Sequence, residues 1–260
     1  MNCTDLFPVE DGDQIVDVAA GYFHTLAVTE GGSAFAVGCD KYRSYYTHIE
    51  GILDRKPAYQ IELPGRAVAC WAHKTTSVGW FAVEDDAGSR KMYSGCEFVD
   101  HYEQSVLQIL GRGRFPQRYG EQDQRASYEA MAFPDSAVIT KVAAQGHRNA
   151  WALDEDGNLW VWGYKLAYDD YYGDSSGDAE ALIPGHHCNW TPCKVGWFET
   201  NGLRVVDFAA AEIYAICKVV DRSGADHLYA VLHPDYHYQA RNCFGALAKE
   251  VLTKSVWKLE

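Results

Sequence analysis

His186, His187, Cys188 and Cys193 stand close together in the chain and carry the side chains that zinc prefers as ligands. Their spacing is not one of the recognised zinc patterns. The group reads either as a metal site or as a loop around a buried thiol. The loop is the expectation, so no metal and no cofactor are assigned. Covalent or phosphoryl chemistry has little to stand on. The chain has no Gly-x-Ser-x-Gly elbow, no Gly-x-x-x-x-Gly-Lys-Ser/Thr loop and no His-Glu-x-x-His pair. No catalytic residue is nominated, and the chain is expected not to be an enzyme.

A second set of residues offers contact rather than catalysis. Tyrosines and aspartates recur after comparable apolar runs: Tyr42, Tyr45 and Tyr46; Tyr102; Tyr168, Asp169, Asp170, Tyr171 and Tyr172; Tyr236 and Tyr238. Tyrosine gives a large contact area at small entropic cost, so a recurrent Tyr-Asp face suits protein binding. The same rings also suit packing between sheets, with each hydroxyl satisfied at an edge. Both readings stand at this point.

Charge narrows the partners. The formal net charge is −13, which repels a phosphate backbone and favours a basic partner. Direct nucleic-acid binding is not expected. The one short basic run, residues 111–118, reads as a solvated loop. The first 14 residues have neither a positive nor an apolar region of the kind a signal peptide needs. No stretch approaches the roughly 20 apolar residues of a membrane helix. The expectation is a soluble protein without a membrane span, in the cytoplasm or within an intracellular or virion assembly. The eight cysteines are spread along the chain, several inside apolar runs, and are expected as free thiols.

The elements that would carry these residues follow from a repeat. Residues 15–38 and 139–163 align with one inserted residue. Val18-Ala19-Ala20 matches Val142-Ala143-Ala144, Gly32 matches Gly157, and Phe35-Ala36-Val37-Gly38 matches Trp160-Val161-Trp162-Gly163. Two weaker copies span Ala67 to Cys96 and Arg204 to Leu232. Anchored on Val18, Cys70, Val142 and Phe208, the spacings are 52, 72 and 66 residues. Such variation belongs in loops.

Each copy reads as three strands. The acidic-Gly segment between the second and third supplies positive φ for a tight hairpin. Gly38 and Gly163 are expected to turn the chain sharply out of the unit. No segment has a sustained helical period, so helices should be few. A small sheet cannot bury both faces alone, and radial stacking of copies does so. The expected fold is all-β, a β-propeller of about four blades in a closed or partial ring. Residues 1–14 form an N-terminal segment. Residues 15–260 form a single domain with units at about 15–65, 66–137, 138–202 and 203–260.

The run Val-Ala-Ala-Gly, then His-Thr-Leu-Ala-Val, then Gly, an aromatic residue and a final Gly resembles the repeat of the regulator-of-chromosome-condensation family. The third copy, ending Asp-Gly-Asn-Leu-Trp-Val-Trp-Gly, is the nearest match. Residues 56–63, 191–195 and 253–259 resemble that family's Pro-containing outer strand, and residues 242–247 its Asn-x-x-Gly-x-Leu turn. Copies two and four depart from the pattern, with His73 and Ala211 in place of Gly21. The resemblance implies a structural role for His24 and His147. It implies function only broadly. Some members are nucleotide-exchange factors for small GTPases, and many are interaction platforms. The expectation is a non-enzymatic protein-interaction scaffold or structural subunit of a larger assembly, such as a virion, cytoskeletal or organellar complex, with protein partners or self-association. The alternative is a regulator or nucleotide-exchange factor of a small GTPase.

Overall fold

The computed structural model describes residues 7–21, 24–39, 55–74, 78–96, 126–144, 149–163, 192–211, 214–232 and 256–259. These form four antiparallel sheets of four strands each. The first holds β1 (Ile15–Ala20), β2 (His24–Thr29), β3 (Ala34–Cys39) and β4 (Arg55–Ile61). The second holds β5 (Arg66–Ala72), β6 (Val78–Glu84), β7 (Arg90–Cys96) and β8 (Ala126–Ala130). The third holds β9 (Ile139–Ala143), β10 (Asn149–Asp154), β11 (Leu159–Gly163) and β12 (Cys193–Lys194). The fourth holds β13 (Arg204–Ala210), β14 (Tyr214–Val220), β15 (Asp226–Leu232) and β16 (Val256–Leu259). One helix of four residues, α1 (Trp197–Thr200), lies ahead of β13.

Each copy is therefore a blade of four sequential strands, as the β-propeller reading required. One strand had no candidate in the sequence, and one local expectation needs correction. The fourth strand of the second copy is β8, Ala-Ser-Tyr-Glu-Ala, which lacks the proline of residues 56–63 and 191–195. Gly38 does not turn the chain, because it pairs with His24 inside β3 and the strand runs on to Cys39, whereas Gly163 is the last residue of β11, paired with Asn149.

The repeat is visible in a defect. The first strand of every copy loses register by one residue against the second: at Val16, Val68, Thr140 and Val206. Those positions are 52, 72 and 66 residues apart, the spacing of the sequence anchors. A bulge bends and twists its strand, so four matching bulges give four matching blades. Pro57 falls in the edge strand β4, where a missing N–H costs no ladder bond to a further strand.

The chain divides into two compact units, residues 1–108 with 114–135, and residues 109–113 with 136–260. In the first unit, Leu26, Val28, Ala34 and Ala36 of the first sheet pack against Ala67, Cys70, Phe81 and Val83 of the second. In the second unit, Trp151, Leu153, Leu159 and Val161 pack against Val205, Phe208, Ala215 and Cys217. Apolar burial of this kind stabilises by about 25 cal/mol per Å² and is the main force joining the sheets. The ring of Trp197 from α1 sits 5.4 Å from that of Tyr229, closing the end of this second core. Phe7 is buried on the other face of the first sheet beside Ala27 and Phe35. Among the described residues no helix is long and apolar enough to cross a membrane.

Candidate interaction surfaces

The tips of the four hairpins are built alike. Thr29, Asp85, Asp154 and Asp221 stand three residues before a glycine with positive φ: Gly32 at 89°, Gly88 at 78°, Gly157 at 83° and Gly224 at 86°. Each glycine N–H donates to the carbonyl of that Thr or Asp at 2.9–3.1 Å. The side-chain oxygen then accepts the N–H one residue beyond the glycine. Ser33 donates to Thr29 Oγ1 at 3.1 Å, Ser89 to Asp85 Oδ1 at 2.9 Å, Asn158 to Asp154 Oδ1 at 2.8 Å and Ala225 to Asp221 Oδ1 at 3.0 Å. These oxygens replace water at backbone donors that a two-strand turn leaves open. His227, 2.8 Å from Asp221 Oδ2, with Ser223 and the Ala225 N–H, holds the Asp221 carboxyl well below the usual carboxylate range. Trp160 Nε1 donates to Asp154 Oδ2 at the same offset, at 2.9 Å.

The same tips make the junctions within each unit. Gly32 O accepts the Ala67 N–H at 2.9 Å, and Gly157 O accepts the Val205 N–H at 3.1 Å. Arg66 and Arg204 cover these glycines so closely that an added Cβ would collide with either side chain. Arg66 Nη2 also donates to Glu30 O at 3.1 Å. A second bridge runs between first strands. Asp17 Oδ2 accepts the Cys70 N–H at 2.9 Å, while Lys141 Nζ donates to Asp207 Oδ1 and to Phe208 O, both at 2.6 Å. Lys141 holds the Asp207 carboxyl below its ordinary value. Sequence reasoning missed these residues. A signal existed: Arg66-Ala67-Val68 and Arg204-Val205-Val206 place the arginine at one offset from the bulge, and Thr or Asp precedes the turn glycine by three.

The candidate residues read from the sequence distribute unevenly. Tyr42, Tyr45, Tyr46, Tyr102, Tyr168, Asp169, Asp170, Tyr171, Tyr172, Tyr236 and Tyr238 lie outside the described residues. So do His147, His186, His187, Cys188, residues 111–118 and residues 242–247. Cys193 is half-buried in β12. His24 opens β2, is buried, and packs where a Cβ on Gly21 would clash with its ring. Burial pulls the His24 pKa down to about 4, so the ring is neutral at pH 7 and fills space between strands. Cys70 and Cys217 are buried, and burial pushes both thiols up, Cys217 to about 12. An open depression beside α1 is lined by Thr200, Asn201, Gly202, Asp221, Arg222 and Ser223. Arg222 lies over Gly202, and the Asp221 oxygens are taken by their turn, so the depression presents few groups to a ligand.

Residues 15–43 match a family model described as the regulator of chromosome condensation (RCC1) repeat. No curated protein sequence matches the chain. Among solved structures it is similar to human WBSCR16, at 16% identity, covering 87% of this chain and 49% of that one, with a TM-score of 0.53. It is also similar to yeast RCC1 (Prp20), solved bound to Kap60, at 18% identity, covering 86% of this chain and 45% of that one, with a TM-score of 0.48. The chain thus spans about half the length of these solved structures. At such identities the likeness is one of fold. Residues 15–43 thus match the RCC1 repeat, and the described residues form an RCC1-like, β-propeller-type fold of four sheets.

Proposed function

We propose that this chain is a non-enzymatic protein-interaction scaffold, a structural subunit of a larger assembly such as a virion, cytoskeletal or organellar complex. One observation carries the reading. The same blade recurs four times, and among the described residues its polar side chains close turns and bridge sheets rather than converge on a pocket. The exposed residues at the tips are largely acidic, as at Glu30, Asp86, Glu155 and Asp156. Repeated acidic tips on a chain of net charge −13 favour a protein partner with a basic surface over nucleic acid. The Tyr-Asp segments that follow the third strand of each copy are proposed as the specific part of that contact.

Replacing Tyr168, Tyr171 and Tyr172 together by alanine tests this. The expected result is an unchanged melting temperature and far-UV spectrum with loss of partner binding. Loss of the fold would instead assign these rings to packing. The second reading, regulation of a small GTPase, rests on the RCC1 repeat match at residues 15–43. A nucleotide-release assay over a GTPase panel separates the two. No acceleration is expected, and acceleration with any member would favour the regulator.

A further inference from the structure

We infer that Asn201-Gly202 is a self-modification site, in which the Gly202 backbone nitrogen attacks the Asn201 side chain when the turn after α1 opens. Of the six asparagines in the chain, Asn201 alone is followed by glycine. Glycine has no Cβ to shield its nitrogen, so this pair is the one most open to ring closure. The step needs no reagent but water. The Gly202 amide loses its proton, its nitrogen bonds to Asn201 Cγ, and the Cγ–Nδ2 bond breaks to release ammonia. Water then opens the cyclic imide at either carbonyl, leaving aspartate or isoaspartate.

The fold creates this pair and then holds it shut. The chain leaves α1 by reversing through Gly202 at a φ of 67°, a conformation that favours glycine at the end of a helix. Gly202 N–H donates to Glu199 O at 3.0 Å, and Leu203 N–H donates to Phe198 O at 2.9 Å. Asn201 supplies the cap, its Nδ2 donating to Trp197 O at 2.7 Å. Attack is thereby blocked. The nucleophilic nitrogen and the leaving amide are both engaged, and the Asn201 ψ of 7° turns the Gly202 nitrogen away from Asn201 Cβ. Water has access all the same. Asn201 is exposed, and the pair lines the open depression with Thr200, Asp221, Arg222 and Ser223. Opening of the turn is therefore the step that sets the rate, and short exposed turns open at the low end of local stability.

Conversion keeps the turn from closing again. A carboxylate cannot donate to Trp197 O, and it places negative charge beside the carbonyls of the last turn. Isoaspartate also adds a carbon to the backbone, which carries Gly202 out of the position that ends the helix. Arg222, packed over Gly202, offers the new charge only a water-exposed partner, and such pairs are worth little. What α1 holds is one end of the second core. Phe198 is 2% exposed there, and the Trp197 ring lies against Tyr229. The modification thus turns a transient opening of that core into a lasting one.

The test incubates the full chain in mildly alkaline buffer, folded and in guanidinium chloride, and follows it by peptide mass. Trypsin cuts after Lys194 and Arg204, so one peptide carries the pair. In denaturant that peptide should convert to the two acid products, separated by chromatography, while the peptide holding Asn158-Leu159 stays unchanged. In the folded chain conversion should be slower by about tenfold or more, the factor set by how seldom the turn opens. Asn201→Asp, made directly, should melt below the parent and be cut faster by trypsin at Lys194 and Arg204 under native conditions. No conversion in denaturant overturns the site. Equal rates in the two states overturn the lock. Asn201→Asp with the parent's melting temperature and cleavage rates overturns the lasting opening. If that variant fails to fold, the parent aged in its folded state supplies the converted chain, and its rate of cleavage by trypsin decides in the same way.

Discussion

Gly32, Gly88, Gly157 and Gly224 share one backbone conformation but not one neighbourhood. All four need the left-handed region, so alanine at any of them costs roughly 1–2 kcal/mol in strain. At Gly32 and Gly157 alanine must also displace Arg66 or Arg204. Urea denaturation should therefore rank Gly32→Ala and Gly157→Ala as clearly more damaging than Gly88→Ala and Gly224→Ala. Equal losses would contradict the junction role of the first two. His24 makes a pH prediction. Its pKa falls from 6.5 to about 4 on folding, so between those values the unfolded chain binds a proton that the folded chain refuses. Stability is full above pH 6.5 and declines as pH falls towards 4, by about 3 kcal/mol at most from this group. His24→Phe should flatten that part of the profile. Cys70 and Cys217 should resist alkylation at pH 8 in the native protein and react fully in denaturant, since the thiol, not the thiolate, is favoured in the core.

At the scale of elements, the two bridges between first strands differ in weight. Lys141 and Asp207 are 40% and 63% exposed in their side chains, so water screens their ion pair to about 0–1 kcal/mol. Asp17 instead accepts a backbone N–H from the buried Cys70, and removing that acceptor strands a donor at roughly 1–3 kcal/mol. Asp17→Ala should thus lower the melting temperature more than Lys141→Ala. Much of this level was legible in the sequence. The acidic-Gly segment between the second and third runs marked the hairpins, and alternation marked the strands between them. The bulges were not legible, because an extra residue in a strand leaves no compositional trace. Neither was β8, whose Ala-Ser-Tyr-Glu-Ala has little of the β-branched character that identifies strands. Its place comes from pairing with β7, a long-range contact that short-range pattern does not encode.

For the whole molecule, four unequal copies fold as four blades that share the bulge and the tip glycine. The candidate binding residues were legible only as recurrence: tyrosines after each third strand, acids at each tip. What they touch depends on a partner, and no spacing within one chain names it. The central claim is that the chain works as part of a stoichiometric assembly. Its most direct test is the mass of the particle that carries the full chain when isolated from its natural source under native conditions. The account predicts a discrete complex, of two or more copies or of this chain with a basic protein in fixed ratio. A bare monomer, without a partner at any stage of isolation, would contradict it.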